Sequence, residues 1–108
     1  MSEGICLGPV AEIQDPGSKG YQVGEQQLFA VRSRGAVFLY RNRCPHLGIE
    51  LEWLPDRFLD HQNQFIQCST HGALFLIESG ECVSGPCSGQ FLEAVTHEVR
   101  DGQLWALL

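Results

Sequence analysis

Two short motifs, Cys44-Pro45-His46-Leu47-Gly48 and Cys68-Ser69-Thr70-His71-Gly72, decide how this chain folds. Each offers one thiol and one imidazole, with a glycine within two residues of the histidine, and 21 residues separate His46 from Cys68. A metal centre closed by protein ligands needs them to converge from at least two loops, so the spacing predicts one shared centre. Glycine lets the backbone turn sharply and bring amide N–H groups near a negatively charged sulfur site.

Three interpretations of these four ligand-type residues compete. The first is a tetrahedral Cys₂His₂ zinc site, for which the C-x-H spacing of the first motif is tight. The second is a set of unrelated core residues, which four matched positions disfavour. The third is a [2Fe–2S] cluster in which two cysteines bind one iron and two histidines bind the other. Opposing C-x-H and C-x-x-H loops, each giving one ligand to each iron, favour this third interpretation.

The chain resembles a Rieske-type ferredoxin over nearly its whole length. Both motifs match the family, and after them follow the apolar run Ala73-Leu74-Phe75-Leu76 and the Gly85-Pro86 turn. The resemblance implies an all-β fold of three small antiparallel sheets, a single domain over 1–108 with a cluster-binding subdomain at 43–87. It also implies that Cys44 and Cys68 bind the buried iron, that His46 and His71 bind the outer one, and that electrons leave through the histidine edges. Leu47 is then either a partner contact or a loop-packing residue.

The residues around the motifs predict a low reduction potential. High-potential members of the same family carry a disulfide between the loops and hydroxyl donors from a serine and a tyrosine. The matching positions here hold Ile49 and Thr70, Ala73, and Phe75, so all of these features are missing. Because donors at sulfur favour the reduced state, we expect a potential at the low end of the range of about −150 to +300 mV.

Composition limits the class of protein and its partners. The net charge is −6, from 7 basic and 13 acidic side chains, which disfavours nucleic acid as a partner. No stretch is long and apolar enough to span a membrane, and the first residues lack a signal peptide pattern, so we expect a cytoplasmic protein. Cysteines 6, 82 and 87 are predicted to be small buried side chains rather than reactive thiols.

Two hairpins are predicted outside the motifs. The runs 27–34 and 36–42 are separated by Gly35, and the runs 94–100 and 103–108 are separated by Asp101-Gly102. Residues 15–20 are predicted to form a loop, and a helix-like fragment at 51–58 is interrupted by Pro55. The pattern indicates a β scaffold with an irregular insertion between its two ends.

The leading functional hypothesis is a monomeric electron-carrier ferredoxin. It would receive electrons from a flavoprotein reductase and pass them to a terminal oxygenase or similar oxidoreductase, with no catalysis of its own. The alternative is a Rieske-like small subunit of a larger reductase such as nitrite reductase. A redox sensor or a structural zinc module is the third hypothesis, and the colour of the protein would distinguish it from the others.

Overall fold

The computed structural model describes residues 4–43, 51, 56–60, 62–68, 72–85 and 88–107. Within them lie nine strands and a short 3₁₀ helix at Val10–Glu12. The strands are β1 (Ile5–Pro9), β2 (Gly17–Val23), β3 (Gln26–Ser33), β4 (Ala36–Arg41), β5 (Phe65–Gln67), β6 (Leu74–Leu76), β7 (Cys82–Ser84), β8 (His97–Arg100) and β9 (Gln103–Ala106). In these ranges no helix is long and apolar enough to cross a membrane.

The strands form three antiparallel sheets of three strands each. Their orders are β1-β9-β8, β2-β3-β4 and β5-β6-β7, which we call the first, second and third sheets. This arrangement confirms the prediction of an all-β fold built from three small antiparallel sheets. The third sheet lies inside the region of the sequence that was expected to be irregular.

The central strand of the second sheet, β3, is buried on both faces along the continuous apolar run 28–31. Phe29 and Val31 point into one core with residues of the third sheet, while Leu28 and Ala30 point into another with residues of the first. Successive side chains of a strand face opposite sides, so one run of apolar residues serves both cores. The second sheet therefore holds the other two sheets together.

Both predicted hairpins are confirmed. Arg34 and Gly35 have φ angles of 52° and 79°, and Asp101 and Gly102 have 52° and 75°. Positive φ at both central residues defines the two-residue turn that matches the twist of antiparallel strands. At the first turn, the Asp15 carboxylate accepts hydrogen bonds from the backbone N–H groups of Arg34 (2.9 Å) and Gly35 (2.8 Å).

Strand β8 is shorter than predicted at its start. Ala94 forms a bridge with Tyr40, and the Val95 N–H donates to the carbonyl of Leu39 at 2.9 Å. These residues therefore pair with β4 of the second sheet before the chain joins β9 in the first. Period-2 alternation alone does not reveal which strand is the partner.

The predicted loop at 15–20 is wrong for residues 17–20, because β2 begins at Gly17 and pairs with β3 along its length. Side-chain contacts from a distant segment stabilise this strand. The Ser18 hydroxyl donates to the carbonyl of Asp56 (2.8 Å) and accepts from the N–H of Phe58 (3.1 Å), and the Gly20 N–H donates to the Asp56 carboxylate (2.7 Å). The glycine and lysine content of the stretch resembles a loop, but these long-range hydrogen bonds favour a strand.

The third sheet and the segment around Phe58 that pairs with it are joined to the second sheet by aromatic packing and a buried hydrogen bond. The rings of Phe29 and Phe58 stack with centroids 4.4 Å apart and planes 6° from parallel. The Tyr40 hydroxyl donates to the carbonyl of Ile77 at 2.6 Å, across the gap between β4 and the β6–β7 turn. These contacts fix the position of the third sheet, which carries the second motif.

The cysteines outside the motifs differ in exposure. Cys82 is 2% exposed and lies in the core beneath the third sheet, as predicted. Cys6 is exposed on β1, so the prediction that it is buried is wrong. Its strand is at the edge of the first sheet, and the neighbouring Ile5 is exposed as well. Cys87 lies outside the described residues.

Candidate metal centre

The structure describes one of the four predicted ligands, Cys68. The other three, Cys44, His46 and His71, lie outside the described residues, together with several neighbouring positions named above. Those positions are Leu47, Ile49, Pro55, Thr70, Pro86 and Cys87. The geometry of the centre is therefore built from Cys68 and from the segments that flank the two motifs.

Cys68 lies at the base of a tight loop between β5 and β6. Its backbone N–H donates to the carbonyl of Ala73 (2.9 Å), and its own carbonyl accepts from the N–H of Gly72 (3.1 Å). Gly72 has a φ of 64°, a conformation that costs glycine little and other residues more. Backbone hydrogen bonds thus join the two ends of the second motif, which we call its neck, and a buried thiol lies at its first residue.

A third segment packs directly on this loop. Gly85 has a φ of 107°, and a Cβ there would lie 2.9 Å from the Cα of Ala73 and 3.0 Å from its Cβ. No real Cβ is accommodated that close to a backbone, so position 85 requires glycine. Gly85, the first residue of the Gly-Pro pair predicted to flank the cluster, therefore contacts the residue that follows the second motif.

The first motif is closed by a side chain. Asn42 follows β4 directly, and its Oδ1 accepts a buried hydrogen bond of 2.7 Å from the backbone N–H of Leu51. Leu51 is fully buried in the core that also contains Cys68. Sequence reasoning missed Asn42; the available signal was an amide residue two positions before Cys44, at the end of an apolar strand.

The positions that carry hydroxyl donors in high-potential relatives lack them here. Ala73 is 1% exposed and Phe75 is fully buried, with its backbone paired to Cys82 on the neighbouring strand. Neither side chain has a hydrogen-bond donor. Positions 73 and 75 therefore offer no side-chain hydroxyl to a bound sulfur.

The donor set is chemically suited to a mixed-ligand iron–sulfur cluster. Two thiols and two imidazoles match the Cys₂His₂ requirement of a cluster whose two irons have different ligands. The buried thiol of Cys68, held at the neck of a glycine-containing loop, fits a thiolate ligand. Among the described residues, no three His, Cys, Asp or Glu side chains come together as a separate metal site.

Comparison with known proteins places this chain in a family. The model of the Rieske [2Fe-2S] domain family matches residues 3–101, so the chain belongs to that family. Its cofactor is a Rieske-type [2Fe–2S] cluster, as predicted from the two motifs, and the zinc interpretation is set aside.

A curated relative is the cytochrome b6-f complex iron-sulfur subunit of Chlorobaculum thiosulfatiphilum, 33% identical over 82 residues. That match covers 76% of this chain, which spans only 41% of the relative's length.

Two solved structures share the fold at low identity. The ferredoxin of carbazole 1,9a-dioxygenase from Nocardioides aromaticivorans IC177 is 17% identical with a TM-score of 0.79, and 97% of each chain is covered. A chain in the complex of reduced oxygenase and oxidized ferredoxin in carbazole 1,9a-dioxygenase is 21% identical with a TM-score of 0.79. That match covers 99% of this chain and 94% of the other. These structures confirm the expected fold.

Proposed function

We propose that this protein is a one-electron carrier whose cluster is bound by Cys44, His46, Cys68 and His71. In this assignment the two cysteines bind the inner iron and the two histidines bind the outer iron. The position of Cys68 supports it, because its thiol is buried at the neck of the second motif, as an inner-iron ligand requires. Residues 43–87 would form the cluster-binding subdomain within one Rieske domain.

The bound cluster supplies reversible one-electron transfer. The protein's own part is to bind the cluster, exclude water from its inner side and present its outer side to other proteins. The core beneath the third sheet, which includes Leu51, Phe58, Phe75 and Cys68, provides the apolar inner side. We expect electron exchange at the outer side, through the edges of His46 and His71, with Leu47 as a candidate contact.

The partners we propose are a flavoprotein reductase as electron donor and a terminal oxygenase or similar oxidoreductase as acceptor. The support is the match to ferredoxins of a dioxygenase system over nearly the full length of both chains. The net charge of −6 would favour encounter with basic partner surfaces. We further propose that the carrier works in the cytoplasm and is a monomer between encounters.

The carrier is proposed to have a low potential, and this is supported by Ala73 and Phe75. Hydrogen bonds to cluster sulfur stabilise the more negatively charged reduced state, so their absence lowers the potential. Both side chains are buried, apolar and without a hydroxyl. A redox titration of the purified protein tests this, since a midpoint below about +100 mV is expected within the family's range of about −150 to +300 mV.

A second candidate is a fixed subunit of a larger redox complex. The identity of 33% to a cytochrome b6-f complex iron-sulfur subunit favours it. Size-exclusion chromatography of the native protein from its source cells separates the two. A carrier elutes near the 12.0 kDa of the chain, whereas a subunit remains in a much larger particle.

A further inference from the structure

The two motifs are closed at their necks by different means. At the second motif, the backbone groups of Cys68, Gly72 and Ala73 bond to one another as the chain enters and leaves the loop. At the first motif, the described contact is between a side chain and the backbone, from Asn42 to Leu51. A substitution at Asn42 can therefore remove the hydrogen bond to Leu51 without changing any residue of the first motif.

The side chain of Asn42 lies where it can fix the distance between the two ends of the segment that contains the first motif. Its backbone N–H donates to the carbonyl of Gln27 on β3 at 2.8 Å, which anchors it to the central sheet. Asn42 is 7% exposed, and among the residues that the structure describes it is the only polar one that is buried. Buried polar groups are costly unless bonded, so a buried amide at this point indicates a specific partner.

The partner of Asn42, the Leu51 N–H, belongs to a residue that is fixed by packing. The Leu51 side chain is fully buried among the residues that surround Cys68, including Phe58, Phe75 and Ala73. The hydrogen bond thus connects the end of β4 to the core on the inner side of the proposed cluster. Residues 43–50, which contain Cys44 and His46, lie between these two fixed points in the sequence.

We propose that Asn42 is a positioning residue for the cluster: its carboxamide fixes the neck of the segment that carries Cys44 and His46. Without the acceptor, the Leu51 N–H is left buried and unsatisfied, and the neck opens to let water bond to it. The two ligands then sample a wider range of positions and bind the cluster less tightly. This inference rests on the proposed ligand assignment.

The test uses the holoprotein, two substitutions at position 42 and a control. Asn42→Ala removes the acceptor, whereas Asn42→Asp is nearly isosteric and keeps one. Asp15→Ala is the matched control, because it also removes side-chain-to-backbone hydrogen bonds, but at the turn that precedes β4 rather than at its end. The readouts are the rate of cluster loss to an excess of chelator and the line width of the reduced cluster's EPR signal.

We expect Asn42→Ala to lose its cluster at least tenfold faster than the parent, which corresponds to about 1.4 kcal/mol. Its EPR signal should broaden because ligand positions vary from molecule to molecule. Asn42→Asp and Asp15→Ala should stay close to the parent in both readouts. If Asn42→Ala yields no holoprotein at all, a stable cluster in Asn42→Asp still supports the inference, and its absence from both overturns it.

Two outcomes separate this inference from the ligand assignment. If Asn42→Ala behaves like Asp15→Ala while Cys44→Ser loses the cluster, the role of Asn42 is wrong and the ligand assignment remains. If Cys44→Ser retains the parent's visible spectrum, the ligand assignment itself is wrong, and the positioning role is overturned with it.

Discussion

Gly85 packs so closely on Ala73 that a Cβ at position 85 would lie 2.9 Å from the Cα of Ala73. Two segments that are distant in sequence therefore touch through their backbones, at the edge of the loop that begins with Cys68. The contact requires a residue with no side chain at position 85 and a small one at position 73. It places Gly85 directly against the residue that follows the second motif.

Substitution of Gly85 by alanine should release the cluster. The new methyl group overlaps the backbone of Ala73, and the φ of 107° is unfavourable for any residue with a Cβ. Gly89→Ala is the control, because Gly89 has a similar φ of 89° but no atom within 4 Å of the place that a new methyl group would occupy. The backbone strain alone costs about 1–2 kcal/mol, so Gly89→Ala should keep its cluster.

The measurement is the ratio of visible cluster absorbance to protein after purification. Gly85→Ala should fall well below the parent, and Gly89→Ala should match it. Equal ratios in the two variants would show that the contact with Ala73 is unimportant for the cluster.

Substitution of Ala73 by serine should raise the reduction potential. In the high-potential members of this family, a serine at the matching position is expected to donate a hydrogen bond to a cluster sulfur, and such a bond stabilises the reduced state. A gain of about 1.4 kcal/mol for the reduced state raises a one-electron midpoint by about 59 mV. Ala30→Ser is the control, since Ala30 is equally buried but lies in the core between the first and second sheets.

Redox titration of the three proteins provides the comparison. We expect an upward shift of that order in Ala73→Ser and none in Ala30→Ser. An unchanged midpoint in Ala73→Ser would argue that the missing hydroxyl is not what lowers the potential.

The two tyrosines should titrate far above their usual range. Burial, with added repulsion from Glu12 and Asp56, raises the pKa of Tyr21 to about 12. Burial, with added repulsion from Glu78, raises the pKa of Tyr40 to about 12. Since these are the chain's only tyrosines, the ultraviolet absorbance of phenolate should appear with a midpoint near pH 12 and not near 10.

The same shifts set the pH dependence of stability. Folding raises the pKa of both tyrosines, which means that the folded state favours the neutral phenol over the phenolate. The stabilisation is complete below pH 10 and is lost as the pH rises from 10 towards 12. For Tyr40, whose hydroxyl is bonded to the Ile77 carbonyl, two pKa units correspond to about 2.7 kcal/mol at most. Phenolate that forms near pH 10 in the folded protein would contradict the buried placement of the two hydroxyl groups.

The sequence predicted the chemistry and the hairpins because both depend on local patterns. Four ligand-type residues in two short motifs specify the cofactor, and Gly35 and Gly102 supply the positive φ that tight hairpins need. Strand β2 was missed because a distant segment of the chain stabilises it, through hydrogen bonds from Ser18 and Gly20 to Asp56. No window of sequence contains both halves of such an interaction.

The role of Asn42 was missed for a related reason, and Gly85 was named without its packing partner. Each acts through a contact with a residue 9 or 12 positions away, Leu51 for one and Ala73 for the other. A single sequence shows that an asparagine or a glycine is present, but its partner becomes visible only when the two segments are placed in space. The functional residues beyond the ligands are therefore those that sequence patterns describe least well.

The central claim is that two thiolates and two imidazoles from the two motifs hold a [2Fe–2S] cluster, and one set of spectra tests it most directly. The visible absorbance and iron content of the parent are compared with those of single variants Cys44→Ser, His46→Ala, Cys68→Ser and His71→Ala, with His97→Ala as a control outside the motifs. We predict a coloured parent with two irons per chain, strong loss of colour in all four motif variants and none in the control. A colourless parent that holds zinc, or a His71→Ala variant with the parent's full absorbance, would contradict the account.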